Sequence, residues 1–442
     1  MNDSLTSKLR LLEKMRINAQ VKADNASERE RLPTNTLSHK HRVQRWANFI
    51  AGYSVEFVEE CLKNRDKSND TVIDPFLGCG TTLVAAKNMG FKGLGYDRHP
   101  VFYTLAKAKL TNYTVTDLDE VRSDILASDI PLVWTEDAHK YLSKLFSDEN
   151  LHDISLAAKA ISSIDDRKKP LAVALFLKSC ESACGSQTDG VYKAPTSKKK
   201  SVPFLDAVAK VYSVFRDDID TNWYRNHFAK QPNPCCYNKS STLINEVKKN
   251  SVGICITSPP YLNNFDYGEM TRMHLYLLGW AGSWREISDT VRNHLITNTT
   301  TALRGKKGEE DQSKNRANLQ NSLALELDEI VIKLAEQRKT RAGKKDYDYM
   351  VFPYYAEIKQ VLTHLFNILK DGGEIHWVVA DAALYGVHIK TQLHTAEIMK
   401  NVGFSEIDIK LIRKRGHRWI LNKRDGAKEG LGEYHITAMK RK

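Results

Sequence analysis

The stretch from Thr71 to Asp97 constrains the chain more than any other. Thr71-Val72-Ile73 is β-branched and apolar and reads as a buried strand. It runs into Asp74-Pro75-Phe76-Leu77-Gly78-Cys79-Gly80-Thr81-Thr82, a tight turn. A helical stretch follows from Leu83 to Met89, then a second strand from Phe91 to Tyr96 that ends at Asp97. Strand, glycine turn, helix and strand in that order form a parallel pair joined by a crossover, the unit of an α/β sheet with helices on its faces. Gly78 and Gly80 let the backbone approach a ligand closely, and Thr81 and Thr82 are candidates to cap the following helix. Asp97 stands where an acidic side chain at the end of a second strand can hold ribose hydroxyls. The arrangement is Rossmann-like, although the glycine spacing of the dinucleotide fingerprint is absent.

A second feature lies far downstream. Val252-Gly253-Ile254-Cys255-Ile256 is a short apolar run that reads as a buried parallel strand, and it stops abruptly at Ser258-Pro259-Pro260-Tyr261. Two consecutive prolines remove two backbone donors and fix φ twice, so the chain beyond Ser258 is stiff and cannot pair in a sheet. A small hydroxyl, a rigid corner carrying carbonyls and a planar ring are thereby held at the carboxyl edge of a sheet. Ligands bind there in open α/β folds. A proline corner that merely closes a strand is the plainer alternative for this stretch taken alone.

The chain has 442 residues, 41% of them hydrophobic, enough for one large core or two ordinary ones. A formal charge of +12 favours a polyanionic partner over a membrane. No apolar run approaches the length of a membrane span. The seven cysteines include no Cys-x-x-Cys pair and no zinc-site spacing. That pattern predicts reduced thiols, a cytoplasmic protein and no metal.

In chain order, residues 1–38 are polar, with Leu5, Leu9 and Leu12 at helical spacing, and read as an N-terminal helical arm. Residues 39–119 carry the cofactor turn, preceded by a loop with Trp46 and by a helix that Ser54 would cap. Residues 120–250 are too long for a loop and contain several helical patterns, divided by the basic segment Lys193 to Ser201 with Lys198, Lys199 and Lys200. Residues 251–442 hold the proline corner and a second insert, 282–346. That insert is basic through Arg285, Arg292, Arg304, Lys306, Lys307, Arg338, Arg341, Lys344 and Lys345. The chain closes with a helix from Tyr354 to Leu369, a strand from Glu374 to Ala380, a helix from His394 to Val402 and two strands, Ile407 to Ile412 and Tyr434 to Met439. The link between these last strands carries Arg413, Arg415, Arg418 and Trp419, a basic and aromatic set suited to gripping a displaced strand or base.

The turn Asp74 to Thr82 resembles the S-adenosylmethionine-binding motif of amino-group DNA methyltransferases, and Ser258-Pro259-Pro260-Tyr261 resembles their catalytic motif. The segment around His41 and Trp46 is similar to the motif that precedes the cofactor loop in that family. Ser258 to Tyr267 looks like the extended form found in a bacterial modification-methylase subgroup. The resemblance covers about residues 39–115 and 250–440.

It implies a Rossmann-like methyltransferase sheet with helices on both faces and two largely helical inserts, the first a target-recognition region. It further implies a site-specific DNA methyltransferase with S-adenosylmethionine as cofactor, bound by Trp46, Asp74, Phe76, Gly78, Gly80, Thr81, Thr82 and Asp97. Ser258, Pro259, Pro260 and Tyr261 would be catalytic, acting on a base flipped from double-stranded DNA. Lys198, Lys199, Lys200, Arg413, Arg415 and Arg418 would touch that DNA. Serine at the head of the catalytic motif is associated with cytosine N4, aspartate or asparagine with adenine N6. A prokaryotic, nucleoid-associated setting and a cognate restriction endonuclease, or another subunit of a defence system, complete what the resemblance implies.

Pro234-Cys235 is a second candidate for chemistry, because a Pro-Cys thiolate attacks C6 in cytosine-C5 methyltransferases. It follows no apolar run that would make a buried strand, and its flanks differ from that family's. An RNA methyltransferase, a protein-amide methyltransferase and a DNA-binding module without chemistry are the other readings. The first two would share the cofactor fold and a Pro-Pro-Tyr corner, but the amide enzymes favour Asn-Pro-Pro-Tyr and need no such basic chain. The last predicts no uptake of the cofactor.

Overall fold

A computed structural model describes residues 40–47, 52–189, 192–263, 266–298, 305–340, 346–414 and 431–441. The expected N-terminal arm lies outside them. The strands are β1 (Thr71–Asp74), β2 (Lys92–Tyr96), β3 (Ser186–Asp189), β4 (Tyr192–Lys198), β5 (Cys235–Tyr237), β6 (Val252–Thr257), β7 (Leu369–Ala380), β8 (Ala382–Leu384), β9 (Val387–Ile389), β10 (Ser405–Lys414) and β11 (Gly432–Met439). Seven of them form one sheet in the order β10-β11-β7-β6-β1-β2-β5. Every neighbouring pair from β7 to β5 is parallel, and β11 alone runs against its neighbours. The expected α/β fold is present.

The sheet alternates as a doubly covered sheet must. Val72, Ile254, Ile256 and Val378 pack on one face against Val55, Phe57 and Val58 of the helix Val55–Leu62. Ile73, Cys255, Trp377 and Val379 pack on the other against the long helix Tyr347–Ile368. Ser54 caps the first of these helices as expected, its side chain accepting from the amide of Phe57 at 3.2 Å.

The order β6-β1 at the centre decides where function can sit. β1 carries the glycine turn at its carboxyl end, β6 carries the proline corner at its own, and Ile73 pairs with Cys255 in parallel register. Two motifs separated by more than 170 residues of sequence therefore leave the sheet side by side. This is the sheet edge at which open α/β folds hold ligands.

The segment 120–250 differs from its expected form in three respects. Its helices, including Asp148–Ile161, Lys169–Ala183 and Phe204–Ile219, share one hydrophobic cluster with Leu83, Val84, Val101 and Phe102 of the cofactor half. Near its end Cys235, Cys236 and Tyr237 pair with Leu94, Gly95 and Tyr96, so the segment supplies the edge strand β5. Three residues are too few for an apolar run to register as a strand, and only the exposed edge of β2 recruits them. Its basic segment, Lys193 to Ser201, lies as far as Lys198 in β4, which pairs with β3 in an antiparallel hairpin.

Candidate active site

Asp74 sits at the end of β1, 2% exposed, and its carboxylate is fully engaged. Oδ1 accepts the amide of Phe76 at 3.0 Å and the hydroxyl of Thr257 at 2.6 Å. Oδ2 accepts the hydroxyl of Thr82 at 2.5 Å and faces the Tyr53 hydroxyl at 3.3 Å. Burial raises the Asp74 carboxyl above its ordinary value, and these bonds oppose that shift. Burial also raises the Tyr53 hydroxyl, with the charge of Asp74 adding to it. Asp74 is thus a bracket tying the glycine turn, the following helix and the end of β6 together.

Gly78 and Gly80 have φ of 51° and 86°, in the left-handed region that favours glycine. A Cβ on Gly80 would lie 3.2 Å from Ala106 Cβ. The helix Thr81–Asn88 starts directly after Gly80, and no side chain caps it. The expectation that Thr81 and Thr82 cap it fails, because both hydroxyls are taken elsewhere: Thr82 donates to Asp74, and Thr81 accepts from the Gln44 side chain. That leaves amides at the start of the helix turned toward the turn, a favourable place for negative charge.

Asp97 closes the same side. Its Oδ2 accepts the Gly78 amide at 2.8 Å and its Oδ1 the His99 amide at 2.8 Å, which fixes the carboxylate against the turn. One edge of Asp97 reaches a half-open cavity at the sheet edge, and enclosure by protein elsewhere raises the carboxyl to about 7. Phe76, Gly78, Asp97, Phe102, Ser258 and Pro260 all line this cavity, so the turn and the proline corner open onto one space.

At the proline corner, Ser258 donates to the Tyr261 hydroxyl at 3.4 Å, and Tyr261 donates to Glu433 Oε1 at 2.9 Å. Arg413 Nε in turn donates to Glu433 Oε2 at 2.6 Å. The carbonyl of Pro260 accepts the Tyr354 hydroxyl at 3.1 Å. Prolines cannot donate, so the corner is held from outside by a tyrosine of the long helix and a glutamate of β11.

Several expected site residues stand apart from the cavity. Trp46 is 1% exposed, stacked on Phe215 at 4.6 Å, with its indole N–H donating to Asp218 at 2.9 Å. It packs in the core and is absent from the cavity lining. Asp218 also accepts from the Val43 amide and from Arg45, so it anchors the whole segment before the cofactor turn. Lys198 and Lys199 are exposed, with ammonium groups on the backbone carbonyls of Lys144 and Glu181, and Lys200 is exposed beside them. Arg413 faces Glu433, whereas Arg415 and Arg418 lie outside the described residues. In the second insert Arg292 pairs with Asp266 and Arg338 with Asp346, so these two are spent on internal ion pairs. Arg304, Arg341, Lys344 and Lys345 lie outside the described residues, as do the side chains of Lys306 and Lys307.

Sequence reasoning missed His99, Phe102, Ser240 and the run His294 to Ile296, all of which line the cavity beside Tyr267 of the extended motif. Burial keeps the His99 ring neutral, with its pKa lowered to about 3, and its Nε2 lies 2.8 Å from the Thr271 hydroxyl. No spacing rule links these positions to the glycine turn. Cys235, on the edge strand, is exposed and absent from the cavity lining.

A family model described as DNA methylase matches residues 10–108. Among curated proteins, the type II methyltransferase M.BsoBI of Geobacillus stearothermophilus is 20% identical over 446 aligned positions, 90% of this chain and 84% of the relative. The type II methyltransferase M.AvaI of Nostoc is 23% identical, over 82% of this chain and 79% of its own. Over a shorter span, the type II methyltransferase M.MjaII of Methanocaldococcus jannaschii is 35% identical, covering 23% of this chain and 18% of its own.

Proposed function

We propose that this chain, a relative of the amino-group DNA methyltransferases, methylates the exocyclic amine of a base flipped out of double-stranded DNA, with cytosine N4 as the acceptor. The observation that carries the reading is the common cavity of Asp97, Gly78 and Ser258, held together by the bond from Thr257 to Asp74.

The cofactor is S-adenosylmethionine, which supplies an electrophilic methyl group on a sulfonium. The residues present fit it. Asp97 keeps one edge toward the cavity and would take ribose hydroxyls, the glycine turn gives close backbone approach, and Phe76 and Phe102 supply apolar walls. Asp74 would act indirectly, since its carboxylate is already saturated by protein donors.

The amine of a base is a poor nucleophile because its lone pair is delocalised into the ring. Ser258 Oγ and the Pro259 carbonyl would each accept one N–H, drawing the nitrogen toward tetrahedral geometry and aiming its lone pair. The Ser258 proton points at Tyr261, which leaves the oxygen lone pairs for the amine. Tyr261 would stack on the extruded base, its ring held in place by Glu433. Serine is too weak a base to deprotonate the amine beforehand, so the proton leaves during or after transfer and no covalent enzyme intermediate is needed. The exposed lysines of β4 and beyond, and Arg413, Arg415 and Arg418, are the proposed phosphate contacts. No helix among the described residues is long and apolar enough to cross a membrane. A cognate restriction endonuclease is the proposed functional partner.

The test is to methylate plasmid DNA with the purified protein, digest it to nucleosides and identify the product by mass spectrometry. N4-methylcytosine supports the reading. N6-methyladenine moves the acceptor while leaving the site intact, and 5-methylcytosine or no product overturns it.

A further inference from the structure

On the sheet face opposite the long helix, three side chains of metal-ligand type converge from distant parts of the chain. Cys61 comes from the helix Val55–Leu62, His376 from β7 and His435 from β11, and one donor atom from each lies within 4.8 Å of the others. β7 and β11 are antiparallel, with His376 opposite Thr437 and His435 opposite Val378. The two histidines are therefore diagonal neighbours on one face, and the helix crossing that face brings the thiol over them. None of the three takes part in the site described above.

The rings are already arranged as ligands need to be. His376 Nδ1 lies 3.0 Å from His435 Nε2, and the rings stack with centroids 5.1 Å apart. His376 turns its other nitrogen, Nε2, toward Glu374 Oε2 at 3.4 Å. Glu374 is itself held by Arg65 Nη1 at 2.8 Å. An imidazole with one nitrogen on a carboxylate and the other facing further donors is the usual support of a metal-bound histidine, because the carboxylate fixes both tautomer and ring plane. Phe57 and the His435 ring meet in a T-shaped arrangement with centroids 5.0 Å apart, which limits rotation of the imidazole.

We infer that Cys61, His376 and His435 bind a divalent transition-metal ion of the zinc class, with Glu374 as the positioning carboxylate and solvent in the fourth place. One thiolate and two imidazoles form a borderline-soft set that suits Zn²⁺ and excludes Mg²⁺ and Ca²⁺. Bonds of about 2.3 Å to sulfur and about 2.0–2.1 Å to nitrogen place tetrahedral donors roughly 3.3–3.6 Å apart, a small adjustment of the spacing found here. On binding, the Cys61 S–H proton passes to solvent. His435 carries its remaining proton on Nδ1, so the imidazoles stay neutral. The ion would clip the helix Val55–Leu62 to the antiparallel edge of the sheet. That edge also carries Glu433, two residues before His435, which holds Tyr261.

The experiment is a titration of the chelator-treated full-length protein with Co²⁺ as a spectroscopic stand-in for Zn²⁺. Stoichiometric uptake, a thiolate-to-metal charge-transfer band, tetrahedral ligand-field absorption and displacement by Zn²⁺ are expected. Cys61→Ser should abolish the charge-transfer band, and Glu374→Gln should weaken Zn²⁺ about 10–100-fold in competition with a chromophoric chelator. Should Cys61→Ser fold poorly by circular dichroism, His435→Gln supplies the second ligand variant, with the same loss of affinity expected. Absence of saturable binding to the wild-type protein overturns the inference. So does a charge-transfer band that survives Cys61→Ser in folded protein. None of these readouts depends on methyl transfer.

Discussion

The hydroxyl of Thr257 donates to Oδ1 of Asp74 at 2.6 Å, joining two residues 183 positions apart in sequence. Through this bond the last residue of β6 is fixed to the last residue of β1, and Ser258 follows directly on the fixed end. Thr257 is fully buried, so removing its hydroxyl while keeping its shape leaves a carboxylate oxygen short of a donor. Thr257→Val should lower stability by about 1–3 kcal/mol. Urea denaturation measures that loss. Methyl transfer should fall alongside it, because Ser258 loses its fixed neighbour.

Asp97 gives the protein a pH dependence. Its carboxyl is raised to about 7 by burial, against an ordinary value of 3.8, so the folded free protein holds this proton more tightly than the unfolded chain does. Its contribution to stability is therefore fully present below about pH 4 and is lost as pH rises toward 7. Cofactor binding has the opposite sign, since only the ionised carboxylate accepts both ribose hydroxyls. Affinity for S-adenosylmethionine should fall by up to about tenfold per pH unit below 7 and level off above it. Calorimetric titration from pH 6 to 8 checks this, and Asp97→Asn should bind weakly at every pH.

Ser258→Ala deletes one of the two acceptors offered to the amine. Loss of one preorganised hydrogen-bonding group at a reacting centre typically costs about 10²–10³ in kcat. Cofactor affinity should be nearly unchanged, because Asp97 and the glycine turn are untouched. Full activity in both Ser258→Ala and Tyr261→Ala would remove the proline corner from the mechanism.

Glu433 reaches the proline corner through Tyr261 and also holds Arg413. Glu433→Gln keeps the shape but replaces the charge-assisted bond, and it frees the Arg413 guanidinium from its partner. A several-fold lower kcat with unchanged cofactor affinity is expected, and Tyr261→Phe should match it, since both loosen the same ring. A Glu433→Gln enzyme with wild-type kcat would show that the relay from Ser258 carries no positional information.

Trp46 separates packing from binding. Trp46→Phe keeps an aromatic ring against Phe215 but deletes the N–H that Asp218 accepts. Stability should drop by about 1–3 kcal/mol in a thermal or urea melt, while cofactor affinity stays at the wild-type value. A large loss of affinity in folded Trp46→Phe would return the indole to the cofactor site.

Much of this protein was legible in its residues. Thr71 to Asp97 specified strand, turn, helix and strand because β-branched runs, glycines and an acidic terminus each have few backbone solutions. Ser258 to Tyr261 specified a stiff corner for the same kind of reason, since two prolines leave the backbone almost no choice. Roles that depend on a distant partner were not legible. The family resemblance made Trp46 a cofactor contact, whereas no local pattern pointed to its packing on Phe215 or its bond to Asp218. Thr81 and Thr82 looked like caps until Gln44 and Asp74 engaged their hydroxyls, and Arg292 and Arg338 looked like free cations until acids paired with them.

By itself the sequence determined the two rigid turns and the kind of chemistry each can support, because short-range backbone sterics and side-chain identity suffice for that. Only the tertiary structure decided that the turns meet. Parallel pairing of β1 with β6 put Asp74 within reach of Thr257, and the cavity shared by Asp97 and Ser258 exists because of it. The same is true of Cys61, His376 and His435, which no local pattern relates and which one sheet face brings together. Adjacency between residues hundreds of positions apart is a property of how strands order themselves in a sheet, and that order is set by burial of the whole core rather than by any segment of it.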